Sequence, residues 1–244
     1  MICNRKDQGW ELIYQTAHAL LAAKLVTHWR FDERPGRWTE TLNAVALHDN
    51  GWQEWEQGER LTPGGHPRDF HDTPIRDTLI QADRVVTRAW HQSLWVGVLV
   101  SRHIHYLHSG KCAEHAELRA LIEHQTELRE QWIEVLGVSR EEVEAAYSIL
   151  RWGDTFSLLL CMHLLEPDED AREIAAGPDG RHYQAFRRAD RSVGVEPWPY
   201  AVETFLVSVD SYRIARETFR DDEDLAEALH HTRPRPLTCE LRRA

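Results

Sequence analysis

Five titratable residues stand inside stretches that are otherwise apolar: His18, the doublet His48-Asp49, His103 and Asp154. A buried imidazole or carboxylate is costly unless something compensates it, so each calls for a partner. Together they offer neutral nitrogen and anionic oxygen donors, the mixture that zinc, manganese and iron accept. A shared divalent ion would compensate all five at once. Each residue also has a plainer account: His18 as a core histidine bonded to a backbone carbonyl, Asp154 as the partner of Arg151 one helical turn earlier. The order of the set is its distinctive feature, with the doublet 30 residues after His18, Asp154 105 residues after Asp49, and a histidine between.

Helices must carry these groups inward. On a wheel of about 100° per residue, Leu21, Ala22, Leu25 and Trp29 share the side of His18, whereas Lys24 and Thr27 oppose it. A second helix, from about Trp38 to Asp49, has Leu42, Val45, His48 and Trp52 in one stripe. Leu94 to Leu107 gathers Val96, Leu99, Val100 and Leu107 around His103, and puts His105 and His108 on the other side. Glu114 to Leu136 reads as a charged amphipathic helix ended by Gly137, and Ser139 with Glu142 forms the capping pattern of a helix to about Leu165 that contains Asp154. The breaker-rich segment 58–74 reads as a loop, followed by a helix from near Ile75.

Strands are expected at the two ends. Residues 1–14 alternate about an Asp7-Gln8-Gly9 turn; Thr204 to Val209, Tyr212 to Thr218 and Pro236 to Leu241 read as strands, and Asp221 to His231 as a short helix. The expected architecture is therefore mainly α: a helical bundle over about residues 15–165, with a small antiparallel sheet formed by the N-terminal hairpin and a C-terminal appendage of about 200–244, all in one domain.

With 29 basic and 40 acidic residues the 244-residue chain carries a formal charge of −11, which argues against nucleic acid and anionic membranes as partners. The basic run His230 to Arg235 reads as a solvated segment. Four scattered cysteines form no framework of paired bridges, and neither a signal peptide nor a membrane span is evident. A cytoplasmic protein acting on a small molecule is the expectation.

The order His, His-Asp, Asp on four helices resembles the HD superfamily of metal-dependent phosphohydrolases over about residues 15–165. More narrowly, QTAHALLAAKLVTHW, ALHDNGWQEWE, LVSRHIHYLHSG and WGDTFSLLLC are similar to the domain-of-unknown-function family numbered 3891 over nearly the whole chain. The superfamily resemblance implies an HD-like bundle holding one or two divalent ions (Mn, Fe, Zn or Mg), with His18, His48, Asp49 and Asp154 as ligands and His103 as an extra one. It further implies Asp49 as a bridging, catalytic carboxylate. His103 would bind a second ion or pass a proton to the leaving oxygen, and His66, His71 and His91 are lesser candidates for the second ion.

One departure concerns phosphate. Many HD proteins carry a basic phrase after the doublet, and here Asn50-Gly51-Trp52-Gln53-Glu54-Trp55 follows. Arg102, Arg151 or Arg84 could replace the missing lysine, Trp52 and Trp55 could stack on a planar substrate group, and Glu54 or Glu56 could act as a base. The leading expectation is hydrolysis of a phosphate ester, a nucleotide or small organic phosphate, by metal-activated water. The alternatives are a non-haem di-iron oxygenase and a non-catalytic metal-binding or regulatory domain.

Overall fold

The computed structural model describes residues 1–52, 59–167 and 169–243. In chain order the elements are β1 (Ile2–Arg5), β2 (Trp10–Ile13), α1 (Gln15–Thr27), α2 (Trp38–Leu47), α3 (Ile75–Trp90), α4 (Leu94–His108), α5 (Ala116–Leu136), α6 (Arg140–Cys161), β3 (Arg172–Ala176), β4 (His182–Arg187), β5 (Val193–Glu196), β6 (Thr204–Ile214), α7 (Asp222–His231) and β7 (Arg235–Arg242). The helical body packs α1 against α2 and α6, and α4 against α3 and α5. It starts as the periodicity predicts: α1 buries His18, Leu21, Ala22 and Leu25, while Lys24 turns out to donate to the Ser208 carbonyl at 2.7 Å. At the other end Ser139 caps α6, its hydroxyl accepting from the Glu142 amide while the Glu142 carboxylate accepts from the Ser139 amide.

The sheet overturns the expected mainly α architecture. Among the described residues seven strands form one mixed sheet in the order β1-β2-β6-β7-β5-β4-β3, with β5 and β7 parallel and the other pairs antiparallel. The expected hairpin and C-terminal strands occupy one side, but β3, β4 and β5 extend the sheet well beyond a small appendage. Their signal is diluted by small and charged residues: in β4 the buried Tyr183 and Ala185 alternate with exposed His182 and Gln184, too brief an apolar pattern to announce a strand. Further along, the two expected strands between 204 and 218 are the single β6, running through Asp210 and Ser211. Asp210 faces solvent and the Ser211 hydroxyl donates to the Arg235 carbonyl at 2.9 Å, so neither interrupts the ladder.

One apolar core runs from the helices into the sheet. At their junction Trp29, two residues past the end of α1, Trp152 of α6 and Tyr183 of β4 meet with ring centroids 5.0 to 6.0 Å apart. Pairs of this kind add about 0.5 to 1.5 kcal/mol each beyond their buried area. They fix α6 two residues before Asp154, and Gly153 lets it approach closely: a Cβ there would meet Val26 Cγ1 at 3.0 Å and the Ala22 carbonyl at 3.3 Å. No helix among the described residues is long and apolar enough to cross a membrane.

Candidate metal centre

His48 and Asp49 follow the last turn of α2, where the chain must reverse against α3. Gly51 permits this, because a Cβ there would stand 2.4 Å from the Gln81 carbonyl and 2.9 Å from Val85 Cβ. Two arginines of α3 secure the turn, Arg84 donating to the Gly51 carbonyl at 3.1 Å and Arg88 to that of Asn50 at 2.6 Å. These cations complement the carbonyl-rich end of α2. The doublet is thereby held against α1, α4 and α6.

The structure brings His18, His48, Asp49, His103 and Asp154 together, all of them buried. His18 Nε2 lies 2.7 Å from Asp49 Oδ2 and 3.9 Å from Asp154 Oδ1. His48 Nε2 lies 3.3 Å from Asp154 Oδ1 and 3.7 Å from Asp49 Oδ2, and His103 Nε2 lies 3.7 Å from Asp154 Oδ2. His18, His48 and Asp49 form one potential ligand set and His48, His103 and Asp154 a second, the atoms of each within 4.8 Å of one another.

Hydrogen bonding behind the rings decides where their lone pairs point. His48 Nδ1 is 2.7 Å from the Val45 carbonyl, which can only accept, so the hydrogen belongs on Nδ1. The Ser157 hydroxyl donates to the Asp154 carbonyl at 2.8 Å, leaving its oxygen to accept from His18 Nδ1, also at 2.8 Å. In the neutral tautomers thus fixed, Nε2 of both rings turns a lone pair toward carboxylate oxygens. His103 Nδ1 is 3.4 Å from the Tyr147 hydroxyl, and neither His48 Nε2 nor His103 Nε2 makes a formed hydrogen bond among the described residues. Lone pairs facing anionic oxygens need a proton or a cation between them, and this donor set fits a divalent ion whose ligands are oriented from behind.

The electrostatics of the cluster express the same surplus of negative charge. Burial alone would push the His48 imidazole down, but Asp49 and Asp154 outweigh it and raise it to about 9. Burial dominates at His103, which drops to about 4. Burial would also raise the Asp49 and Asp154 carboxyls, yet the neighbouring imidazoles hold both below the ordinary carboxylate range.

A cavity of about 190 Å³ opens from this cluster. Trp52 lines it and its indole N–H donates to Asp49 Oδ1 at 3.3 Å, so Trp52 steadies the Asp49 carboxylate. His71 stands at the mouth, its Nδ1 2.6 Å from Asp69 Oδ1. Elsewhere, His66 lies against Trp10 and bonds the Glu217 carbonyl, and His91 is exposed at the end of α3. The three arginines do not line the cavity: Arg102 makes a two-pronged pair with Glu144 at 2.7 and 3.1 Å, Arg151 lies over the Tyr106 ring, and Arg84 serves the Gly51 turn. Trp55, Glu54 and Glu56 lie outside the described residues.

Several contributors were not anticipated. Ser157 stands three residues after Asp154, on the same face of α6, a spacing that offered a signal for it. Tyr147 behind His103 offered none. His105 points to Thr126 of α5, as the wheel requires, but His108 lines the cavity instead of facing away. Its backbone has left ideal helical values, with φ −116° and ψ −9°, as the chain enters the 3-10 turn Ser109–Lys111, so the wheel no longer applies.

No curated protein and no solved structure matches the chain. Residues 1–216 match the family model described as "Protein of unknown function (DUF3891)". That match spans most of the sequence, and the chain belongs to the DUF3891 family.

Proposed function

We propose that this chain is a metal-dependent hydrolase of small phosphate esters, built on a ligand set resembling that of the HD superfamily. The observation that carries the reading is the convergence of two carboxylates and three imidazoles from four segments of the helical body, with Nε2 of His48 and His103 unsatisfied and with His18, Asp49, His103 and Asp154 lining a cavity. A divalent ion bound there supplies a water activated near neutral pH and offsets charge on phosphoryl oxygens. His18, His48, Asp49 and Asp154 would hold it, with His103 as a further candidate ligand.

The chain's own groups do the remaining work. Val45 and Ser157 hold His48 and His18 in the tautomer whose Nε2 can ligate. Asp49 accepts from Trp52 with one oxygen and faces His18 with the other, which fixes its plane. His103, kept neutral by burial, can hold or pass a proton at Nε2. Phe70, Leu107 and Leu158 limit water around the reacting group.

The test begins with elemental analysis of protein purified without chelator. Small phosphate monoesters, nucleotides and generic aryl phosphates are then assayed with Mn, Mg, Zn, Co and Fe. Hydrolysis that depends on metal and disappears in Asp49→Ala is expected. Silence across the whole panel from metal-loaded wild type, with oxygen consumed when iron is present, would replace the hydrolase reading by an oxygenase.

A further inference from the structure

The arginines that could have neutralised a phosphate are engaged elsewhere, so the source of positive charge has to be sought in the cavity itself. Among the described residues that line it, Lys111 is the one lysine or arginine. It is exposed on the 3-10 turn after α4, and its ammonium pairs with no carboxylate among the described residues. His108, one turn earlier in the chain, presents two ring nitrogens that are both buried and both without a hydrogen-bond partner there. Buried polar atoms are almost always satisfied, so a ring with neither nitrogen bonded marks a place where a ligand or water completes the set. Burial, and then the nearby Lys111 charge, push His108 down to about 4, which leaves a neutral ring with one donor and one acceptor.

We propose that His108 and Lys111 form the oxyanion-binding wall of this cavity, holding the non-bridging oxygens of a small phosphate monoester whose reacting face is turned to the His18, Asp49 and Asp154 cluster. The inference rests on the hydrolase reading and gives it a substrate class. Two carboxylates in the lining repel a phosphate dianion, and a single divalent ion has to offset both of them as well as the substrate; an ammonium in the same lining supplies the missing charge. The neutral His108 adds a directed N–H without adding repulsion to Lys111. Size narrows the substrate further. At about 190 Å³ the cavity falls below the roughly 300 to 1,000 Å³ typical of drug-sized ligands. It therefore suits a phosphate on a few carbon atoms, with Leu107 and Leu158 against the organic part.

Inorganic phosphate is the probe. Manganese-loaded wild type, Lys111→Gln, Lys111→Arg and His108→Gln are titrated with it in a calorimeter, after manganese affinity and thermal melting have been measured on each. Lys111→Gln should weaken phosphate binding about ten- to a hundredfold, the scale of a lost charge-assisted bond. Its manganese affinity should be unchanged, and Lys111→Arg should stay within about threefold of wild type. Equal phosphate affinity in wild type and Lys111→Gln, or no phosphate binding by wild type, overturns the wall. If Asp49-dependent ester hydrolysis nevertheless persists, the hydrolase reading stands without it. Conversely, phosphate binding that needs Lys111 in a protein that hydrolyses no ester upholds the wall and removes the hydrolase reading.

Discussion

Two clusters of buried carboxylates in this molecule solve the same electrostatic problem differently. On β2, Glu11 has a side chain only 1% exposed, and the chain answers it with its own groups: His163 in a short hydrogen bond to Oε2, Lys6 at 3.1 Å and Arg213 at 3.2 Å. In the helical body Asp49 and Asp154 are also buried, but among the described residues their side chains meet imidazoles and the Trp52 N–H, and two of those imidazoles keep a nitrogen unsatisfied. The first cluster is closed, tying β2 and β6 to the end of α6. The second is open, and its deficit has the shape of a cation. Burial of charge alone therefore does not separate the two clusters; the degree of compensation does.

Substitutions can break this contrast from either side. The largest effect is expected from Asp49→Ala, which removes a carboxylate from the centre. Metal affinity should fall by more than the 10- to 100-fold typical of losing an outer-shell partner, and metal-dependent hydrolysis should disappear, while the circular dichroism spectrum stays that of wild type. A wild-type rate in this variant would assign the activity elsewhere. Next, Ser157→Ala leaves every proposed ligand in place but frees His18 to rotate, and should weaken metal binding by about 10- to 100-fold in a direct titration.

Glu11→Gln tests the closed cluster. Removing the carboxylate that joins Lys6, Arg213 and His163, cations that are partly exposed, should lower unfolding free energy by about 1 kcal/mol in denaturant melts, with metal affinity preserved. Loss of metal binding in a still folded Glu11→Gln protein would show that the two clusters are coupled. The pH dependence follows from the same residue. Burial would raise the Glu11 carboxyl, but the bonds from His163 and Lys6 prevail and hold it at about 2 against an ordinary 4.5. A carboxyl held lower in the folded than in the unfolded chain contributes stability that is complete above about 4.5 and is lost as pH falls toward 2. Wild type should lose stability across that interval, and Glu11→Gln should show a shallower slope.

The smallest effect is expected for Arg102→Ala. Arg102 is neutralised by Glu144 and lies outside the cavity, so activity should change less than about threefold and stability by less than about 1 kcal/mol. A large increase in KM would place that guanidinium on the substrate.

The gathering of the five ligand candidates was legible because helical periodicity is a strong signal and each residue interrupts an apolar stripe. His103 and His105, two positions apart, fall on opposite faces of α4 as the period demands. His108 was misplaced because its turn leaves helical geometry, which no wheel represents. Arg102, Arg151 and Arg84 were plausible from proximity along the chain alone, but each finds a nearer partner in Glu144, the Tyr106 ring or the Gly51 carbonyl. In the sheet, β3 to β5 are short and mix alanines and charged residues with few large apolar ones, so their membership depends on neighbours distant in sequence. Val193 pairs with Leu241, a contact that local propensity cannot express.

That contact also governs the order of events during synthesis. β7 follows the other six strands of this sheet in sequence, yet it lies in the middle of the sheet, between β6 and β5. Until residues 235–242 emerge, the facing edges of β6 and β5 carry unpaired amides and carbonyls, open to any passing strand. At about 5 to 20 residues per second the delay after β6 is short, a few seconds at most. Throughout it the helical body, whose ligand residues are all contained within 18–154, already has its sequence available to fold. The residues of the candidate cluster can thus come together while the sheet still lacks one strand, and stalled translation in this interval would leave the edges of β5 and β6 open to pairing with another chain.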